Sequence, residues 1–372
     1  MGEKNSFFES QEVKEFNREI EQYNLGPLWN AIPELMHKEP QPQAVPYLWK
    51  WETIYKKLME AREIFTPDRG GERRAIYLQN PGLKNRQPWG WGSTTQTLYA
   101  AVQLILPGET APSHRHTQSA LRFVMEGEGA YSIVDGERVF MEEGDFLVTP
   151  KGLWHGHGHE GDEPMFWMDC LDIPFIYSTG GTFFEPYPEK IQEPTEPDNV
   201  KSDRYGGGMV RPVSDRKPKV APLSSFKWDK TKTTIDGLSK YDPDPYDGYA
   251  VEYINPSNGE TANPNIAAWL QKLPTGFNGK AHRHTNAVIY HVHKGTGYTV
   301  INGEKFGWSK GDYFVVPNWA WHEHVCTSSG DAYLFSTSDL PIMERLGLQR
   351  EEQLATNDGK QEIVSEFEPI LV

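Results

Sequence analysis

Paired histidines carry most of the chemistry this chain could perform. Pro112-Ser113-His114-Arg115-His116-Thr117-Gln118 is followed by Trp154-His155-Gly156-His157-Gly158-His159. In an extended strand, residues i and i+2 point to the same face, so His114 and His116 present two imidazoles side by side. The glycine-bounded stretch from Gly144 to Gly152 can fold His155 back towards that pair. Neutral imidazole suits iron, zinc, copper or nickel. Three protein ligands with a vacancy is the layout of a catalytic rather than a structural metal site. The competing reading, core histidines satisfied without a metal, suffers from the cost of burying four imidazoles on one face.

Strand parity sorts the neighbours. Arg122, six residues after His116, falls on the metal-facing side, where a guanidinium can take a carboxylate through two parallel hydrogen bonds. Gln103 and Gln271 each stand eleven residues before the first histidine of a pair. His291 and His293 sit an odd number of residues from His284 and are expected to face away, as structural or exposed groups.

The elements that hold these residues occur twice. Gly127-Glu128-Gly129 returns as Gly295-Thr296-Gly297, and Gly144-Asp145 with Pro150 as Gly311-Asp312 with Pro317. His114-Arg115-His116-Thr117 returns as His282-Arg283-His284-Thr285, and Trp154-His155-Gly156-His157 as Trp321-His322-Glu323-His324. One hairpin residue is lost between Gly297 and Gly303. So many equivalences in order mark an internal duplication. Arg122 is matched by Tyr290, so the second copy keeps the ligands and loses the anion clamp. Each copy consists of short β runs cut by glycine turns, such as Leu98–Leu106, Leu121–Glu126 and Ala130–Val134, which indicates a barrel or sandwich.

The fold class is therefore mainly β, with two barrels in tandem behind N-terminal helices. We expect a helical arm at 1–66, with helices over 8–24 and 48–65, and a first, catalytic barrel at 67–175. A Pro- and Gly-rich connection follows at 176–247, then a second barrel at 248–341 and a charged, helix-like tail at 342–372.

Composition narrows the partners. The 372 residues carry 37 basic and 52 acidic side chains, a net charge of −15, without a basic run, which argues against nucleic acid. No apolar run approaches the ~18 residues of a membrane helix, and Met1-Gly2-Glu3-Lys4 does not open a signal peptide. Cys170 and Cys326 form no disulfide framework and are expected as buried thiols. The expected location is cytoplasmic.

Gly108 to His116 followed by Gly144 to His155 resembles the double motif of cupins, small β-barrels around a metal. Two such barrels, with His116-Thr117-Gln118-Ser119-Ala120-Leu121-Arg122-Phe123 and Asp169-Cys170-Leu171-Asp172-Ile173-Pro174, resemble the gentisate 1,2-dioxygenase family of bicupin ring-cleaving dioxygenases. The resemblance runs from about Pro27 to Pro341 and implies Fe(II) held by His114, His116 and His155. It implies a small aromatic acid and O2 as substrates, with gentisate opening between its carboxyl- and hydroxyl-bearing carbons to maleylpyruvate. Arg122 becomes the carboxylate partner and His157 the hydrogen-bonding or proton-handling group over the substrate. Gln103 and Asp169 support the site, Tyr99 and Ala101 wall the pocket, and Arg69 and Arg73 approach the substrate. The resemblance suggests a homotetramer, while the duplication makes His282, His284 and His322 a candidate second metal site, expected to bind metal without supporting turnover because Tyr290 replaces the arginine.

Two departures bear on specificity. The usual cupin glutamate is absent, with Ala120 and Leu121 in its place. Three neutral ligands then leave the full double charge of the iron for an anionic chelating substrate. Many gentisate enzymes carry Asp where this chain has Gly156, which keeps salicylate and 1-hydroxy-2-naphthoate as alternatives. Alternatives of another class are a non-oxidative cupin isomerase or decarboxylase and a non-catalytic binder of aromatic acids.

Overall fold

The structure is a computed structural model that describes residues 9–66, 69, 74–84, 92–217, 219 and 222–372. It divides into a unit ending at Gln41 and a second unit spanning Pro42–Val372. The arm set at 1–66 is thus divided.

In the first unit, helix Gln11–Glu21 starts at Ser10, whose Oγ accepts from the Val13 N–H at 3.4 Å. Of the periodic stretch expected over 8–24, Phe8 lies outside the described residues, and among the described ones those eleven are helical. A second helix, Leu28–Leu35, packs Trp29 against Phe16 with ring centroids 6.1 Å apart.

The larger unit contains two barrels, each made of two facing sheets. In the first, one sheet runs in the order 225–226, 146–149, 120–126, 165–171, 99–105, 74–77, and the other 184–186, 110–116, 155–159, 128–134, 137–142. The second repeats this order: 47–49, 313–316, 288–294, 332–338, 267–273, 249–252, facing 351–353, 282–284, 322–326, 296–301, 304–309, 365–366. Alternation along the strands fills each interior: Val124, Leu147, Met165 and Trp167 in the first, Val292, Phe306, Phe314 and Leu334 in the second.

The outward faces of the six-stranded sheets meet in a shared core. Phe123 stacks on Phe335 at 4.2 Å between centroids, and the Thr337 hydroxyl reaches the Cys170 sulfur at 3.3 Å. His291 and His293 lie here against Phe123, so parity placed them correctly but they are buried rather than exposed. Both cysteines are free and buried.

Flanking segments cross between the barrels reciprocally. Tyr47–Trp49 pairs with Val315–Tyr313 of the second barrel, and the helix it leads into, Trp51–Ile64, packs on strands of the first. Ser225–Phe226 pairs with Leu147–Phe146 of the first barrel, and the helix it leads into, Trp228–Leu238, packs on the second. Each helix start is held by an aspartate of the barrel its strand joins. Asp312 accepts from the Trp51 N–H (2.9 Å) and pairs with Lys50; Asp145 accepts from the Trp228 N–H (2.9 Å) and pairs with Lys227 (2.6 Å). A carboxylate at a helix N-terminus satisfies orphan N–H groups and opposes the helix dipole.

Two expectations change here. The connection at 176–247 contributes helices Val200–Arg204 and Trp228–Leu238 and edge strands Phe184–Pro186 and Ser225–Phe226. The tail is not helix-like beyond Leu340–Arg345; Glu351–Gln353 and Ser365–Glu366 are edge strands of the second barrel, bound to its backbone in spite of their charge. Among the described residues no helix is long and apolar enough to cross a membrane.

Candidate metal centre

Strand 110–116 carries His114 and His116, and strand 155–159 lies antiparallel to it with His155 directly opposite His114. Directly opposed residues share a face, which brings all three rings together. Ring centroids lie 5.4, 4.2 and 4.8 Å apart for 114–116, 114–155 and 116–155, and their candidate ligand nitrogens lie within 4.8 Å of one another.

Nitrogen Nδ1 of each ring faces a backbone carbonyl: Pro112 for His114 (3.2 Å), Gln118 for His116 (2.8 Å) and Leu153 for His155 (3.0 Å). A carbonyl can only accept, so Nδ1 carries the proton and the Nε2 lone pair is left for a ligand. Nε2 of His155 is buried without a hydrogen-bond partner. Burial first, then the neighbouring His114, Arg122 and His116, holds the His155 pKa well below the usual 6.5 and keeps the ring neutral. This donor set fits a divalent transition metal.

The opposite sheet supplies Arg122, the residue expected to meet a substrate carboxylate. Ala101, Asp169 and Arg122 stand in one cross-strand row. Arg122 is buried; its Nε lies 2.9 Å from Asp169 Oδ1, and its Nη1 donates to the Thr149 hydroxyl. Burial weakens its hold on the proton, and Asp169 opposes that effect. Trp167 Nε1 donates to the other Asp169 oxygen at 3.1 Å, fixing the carboxylate. Gln103 is buried in the adjacent row opposite Trp167. Tyr99 stacks on Tyr77 at 5.3 Å, and burial with nearby Asp169 pushes its phenol pKa up.

His157 points inward like His155, its ring 6.4 Å away, with Nδ1 2.8 Å from the Ser132 hydroxyl. His159 is committed to backbone, with Nε2 2.6 Å from the Glu163 carbonyl. Arg69 is exposed in a turn where its N–H donates to Thr66 (2.8 Å), and Arg73 lies outside the described residues. Arg74 beside them is a buried structural arginine paired with Glu109.

Gly156 does not line the pocket. It alternates with His155 and His157, and a Cβ there would collide with Ser113 Oγ on the neighbouring strand. The second barrel repeats the triad, with centroids 5.5, 4.4 and 4.9 Å apart for 282–284, 282–322 and 284–322.

Sequence reasoning passed over Ser132 and Thr149, which hold His157 and Arg122, and Glu351, which reaches His282. The signal for the first was a hydroxyl inside an apolar strand in both copies, Tyr131-Ser132-Ile133 and Tyr298-Thr299-Val300.

The cupin domain family matches residues 101–173 and 269–338. Gentisate 1,2-dioxygenase 1 of Aquipseudomonas alcaligenes is 41% identical over 92% of this chain and 97% of its own length. The chain belongs to the gentisate 1,2-dioxygenase family. It is an enzyme, a dioxygenase built as a tandem cupin. Within the family its relatives differ in the ring acid they are named for. The 5-aminosalicylate 1,2-dioxygenase of a Comamonas species is 39% identical over 93% of this chain and 91% of its own length. The salicylate 1,2-dioxygenase of Pseudaminobacter salicylatoxidans superposes with a TM-score of 0.86 at 33% identity, over 92% of this chain and 98% of that one. That enzyme has also been solved with gentisate.

Proposed function

We propose that this protein is an Fe(II)-dependent dioxygenase that opens gentisate between its carboxyl- and hydroxyl-bearing carbons. The ring bond breaks, both atoms of O2 enter the product, and the electrons that reduce O2 come from the ring, so gentisate and O2 give maleylpyruvate. The observation that carries this reading is the row Ala101–Asp169–Arg122 beside the His114–His116–His155 triad. A buried guanidinium next to an all-nitrogen metal face recognises a carboxylate ortho to a hydroxyl.

Fe(II) would be held by His114, His116 and His155, and when bound would supply the Lewis-acid and oxygen-activating chemistry of the reaction. Arg122 binds the substrate carboxylate and fixes its orientation, while Asp169 and Thr149 hold the guanidinium. His157, set by Ser132, exchanges the phenol proton at its other ring nitrogen, Nε2. Tyr99 and Ala101 wall the ring, Gln103 supports the site from the adjacent row, and Arg69 is the further arginine expected to approach the substrate. The exposed apolar residues Leu28, Ile32, Leu35 and Met36 support a subunit contact in a homotetramer, which light scattering would test.

Gly156 favours a second reading, cleavage of salicylate or 1-hydroxy-2-naphthoate. Because that glycine packs on Ser113 outside the pocket, it carries less weight than the inward-facing arginine. Oxygen uptake by one Fe(II)-loaded sample on all three acids separates the readings: the highest kcat/KM on gentisate is expected, and turnover of salicylate alone rejects the first.

A further inference from the structure

The second barrel repeats the three histidines in different electrical surroundings. Where the first has Ala101, Asp169 and Arg122 in one row, the second has Trp269, Ser336 and Tyr290. The cation and its counter-charge have both been replaced by neutral groups. A cavity of about 260 Å³ opens beside the triad, bordered by Asp247, Gln271, Tyr290 and Glu351, and no lysine or arginine among the described residues lines it.

Glu351 comes from the tail. In the first barrel, strand 184–186 lies along the paired histidines and Phe184 stacks on His114 at 5.3 Å. In the second, strand 351–353 takes that place and sets Glu351 opposite His284. Its Oε1 lies 3.6 Å from Nδ1 of His282, the nitrogen that faces a backbone carbonyl in His114. His284 and His322 keep the backbone pattern, with Nδ1 facing Asn286 (2.8 Å) and Ala320 (3.1 Å) carbonyls. Nε2 of His282 and of His322 are buried without hydrogen-bond partners.

We propose that the second barrel is a divalent transition-metal site held by His282, His284 and His322, in which Glu351 orients His282 and the ion fastens the C-terminal strand rather than a substrate. A carboxylate on the far nitrogen of a ligating imidazole fixes its tautomer and raises its basicity. In the first barrel the charge of the metal is left for an incoming anion, because Asp169 is already paired with Arg122. In the second, the fixed carboxylates Glu351 and Asp247 border the site, and an acidic chelator would meet them with no guanidinium in compensation. The strand carrying Glu351 is bound on both sides of the ligand pair, by the Leu354 N–H to Ala281 (2.9 Å) and the Thr285 N–H to Arg350 (3.0 Å).

The test is zinc binding by the full chain under chelator competition, read as equivalents per chain. Two equivalents are expected, falling to one in His322→Ala and to the other one in His114→Ala. Glu351→Gln should weaken the second equivalent 10- to 100-fold while leaving the first, and oxygen uptake of the iron-loaded enzyme, unchanged. Amide exchange at Leu354 and Thr285 should slow when the second equivalent binds. A single equivalent lost in His114→Ala, or a second equivalent indifferent to Glu351→Gln, overturns the proposal. Neither result depends on which acid the first barrel cleaves.

Discussion

Arg122 Nε sits 2.9 Å from Asp169 Oδ1 on the adjacent strand, inside the first barrel and away from water. The guanidinium is therefore held in position by the protein itself. Truncating a buried group that pairs with a substrate charge costs about 2–5 kcal/mol of transition-state binding. Arg122→Ala should lower kcat/KM accordingly and leave the iron content intact. Equal activity of the variant would remove the guanidinium from the account.

Acid should loosen the fold. Burial depresses the pKa of His284 and His293 to about 4 and that of His324 to about 3. Between those values and 6.5 the unfolded chain binds protons that the native rings refuse, so stability rises with pH and is lost on acidification. Asp339, pushed up to about 6 by burial, acts the other way between its usual 3.8 and 6. The three rings outweigh it, each on the order of 1–2 kcal/mol between pH 6.5 and 5. The urea midpoint of chelator-treated protein should be lower at pH 5 than at pH 7; an unchanged or higher midpoint contradicts the assignment.

The reciprocal crossing of strands and helices should make both barrels unfold together. Gly311 has φ +91°, and a Cβ there would stand 2.5 Å from the Trp51 ring; Gly144 meets Trp228 at 2.6 Å in the same way. Gly311→Ala combines backbone strain with overpacking, roughly 2–4 kcal/mol. Calorimetry should show one transition, shifted down as a whole in the variant. Separate transitions for the two barrels would refute the coupling.

Gly156→Asp should act through strand spacing. Its Cβ would press on Ser113, the residue just before His114 on the strand that carries two of the ligands. We therefore expect weaker iron retention and lower thermal stability. The ratio of gentisate to salicylate rates should change less than either rate. A switch in preference at unchanged stability would place this position in the pocket after all.

Much of this was legible in the chain because strand chemistry has period two. His114 and His116, and Arg122 six residues on, declare their shared side by parity alone, and duplication identified their counterparts. The reciprocal crossing also left a trace: Lys50-Trp51-Glu52 and Lys227-Trp228-Asp229 are the same device, with Asp312 and Asp145 as its receivers. It was hidden because each copy binds the barrel distant in sequence. Glu351-Glu352-Gln353 carries no apolar alternation, since an edge strand is held by backbone hydrogen bonds and by pairs such as Arg283 with Glu352 (2.7 Å). Such strands become visible only when their partner is known.

The most direct measurement loads the protein with Fe(II) without air, records its absorption with gentisate, and then admits oxygen. The account predicts a new band on adding gentisate that decays in air as one O2 is consumed per gentisate, with band and uptake both absent in His155→Ala. No spectral change, and no oxygen consumption with any hydroxybenzoate, would contradict it.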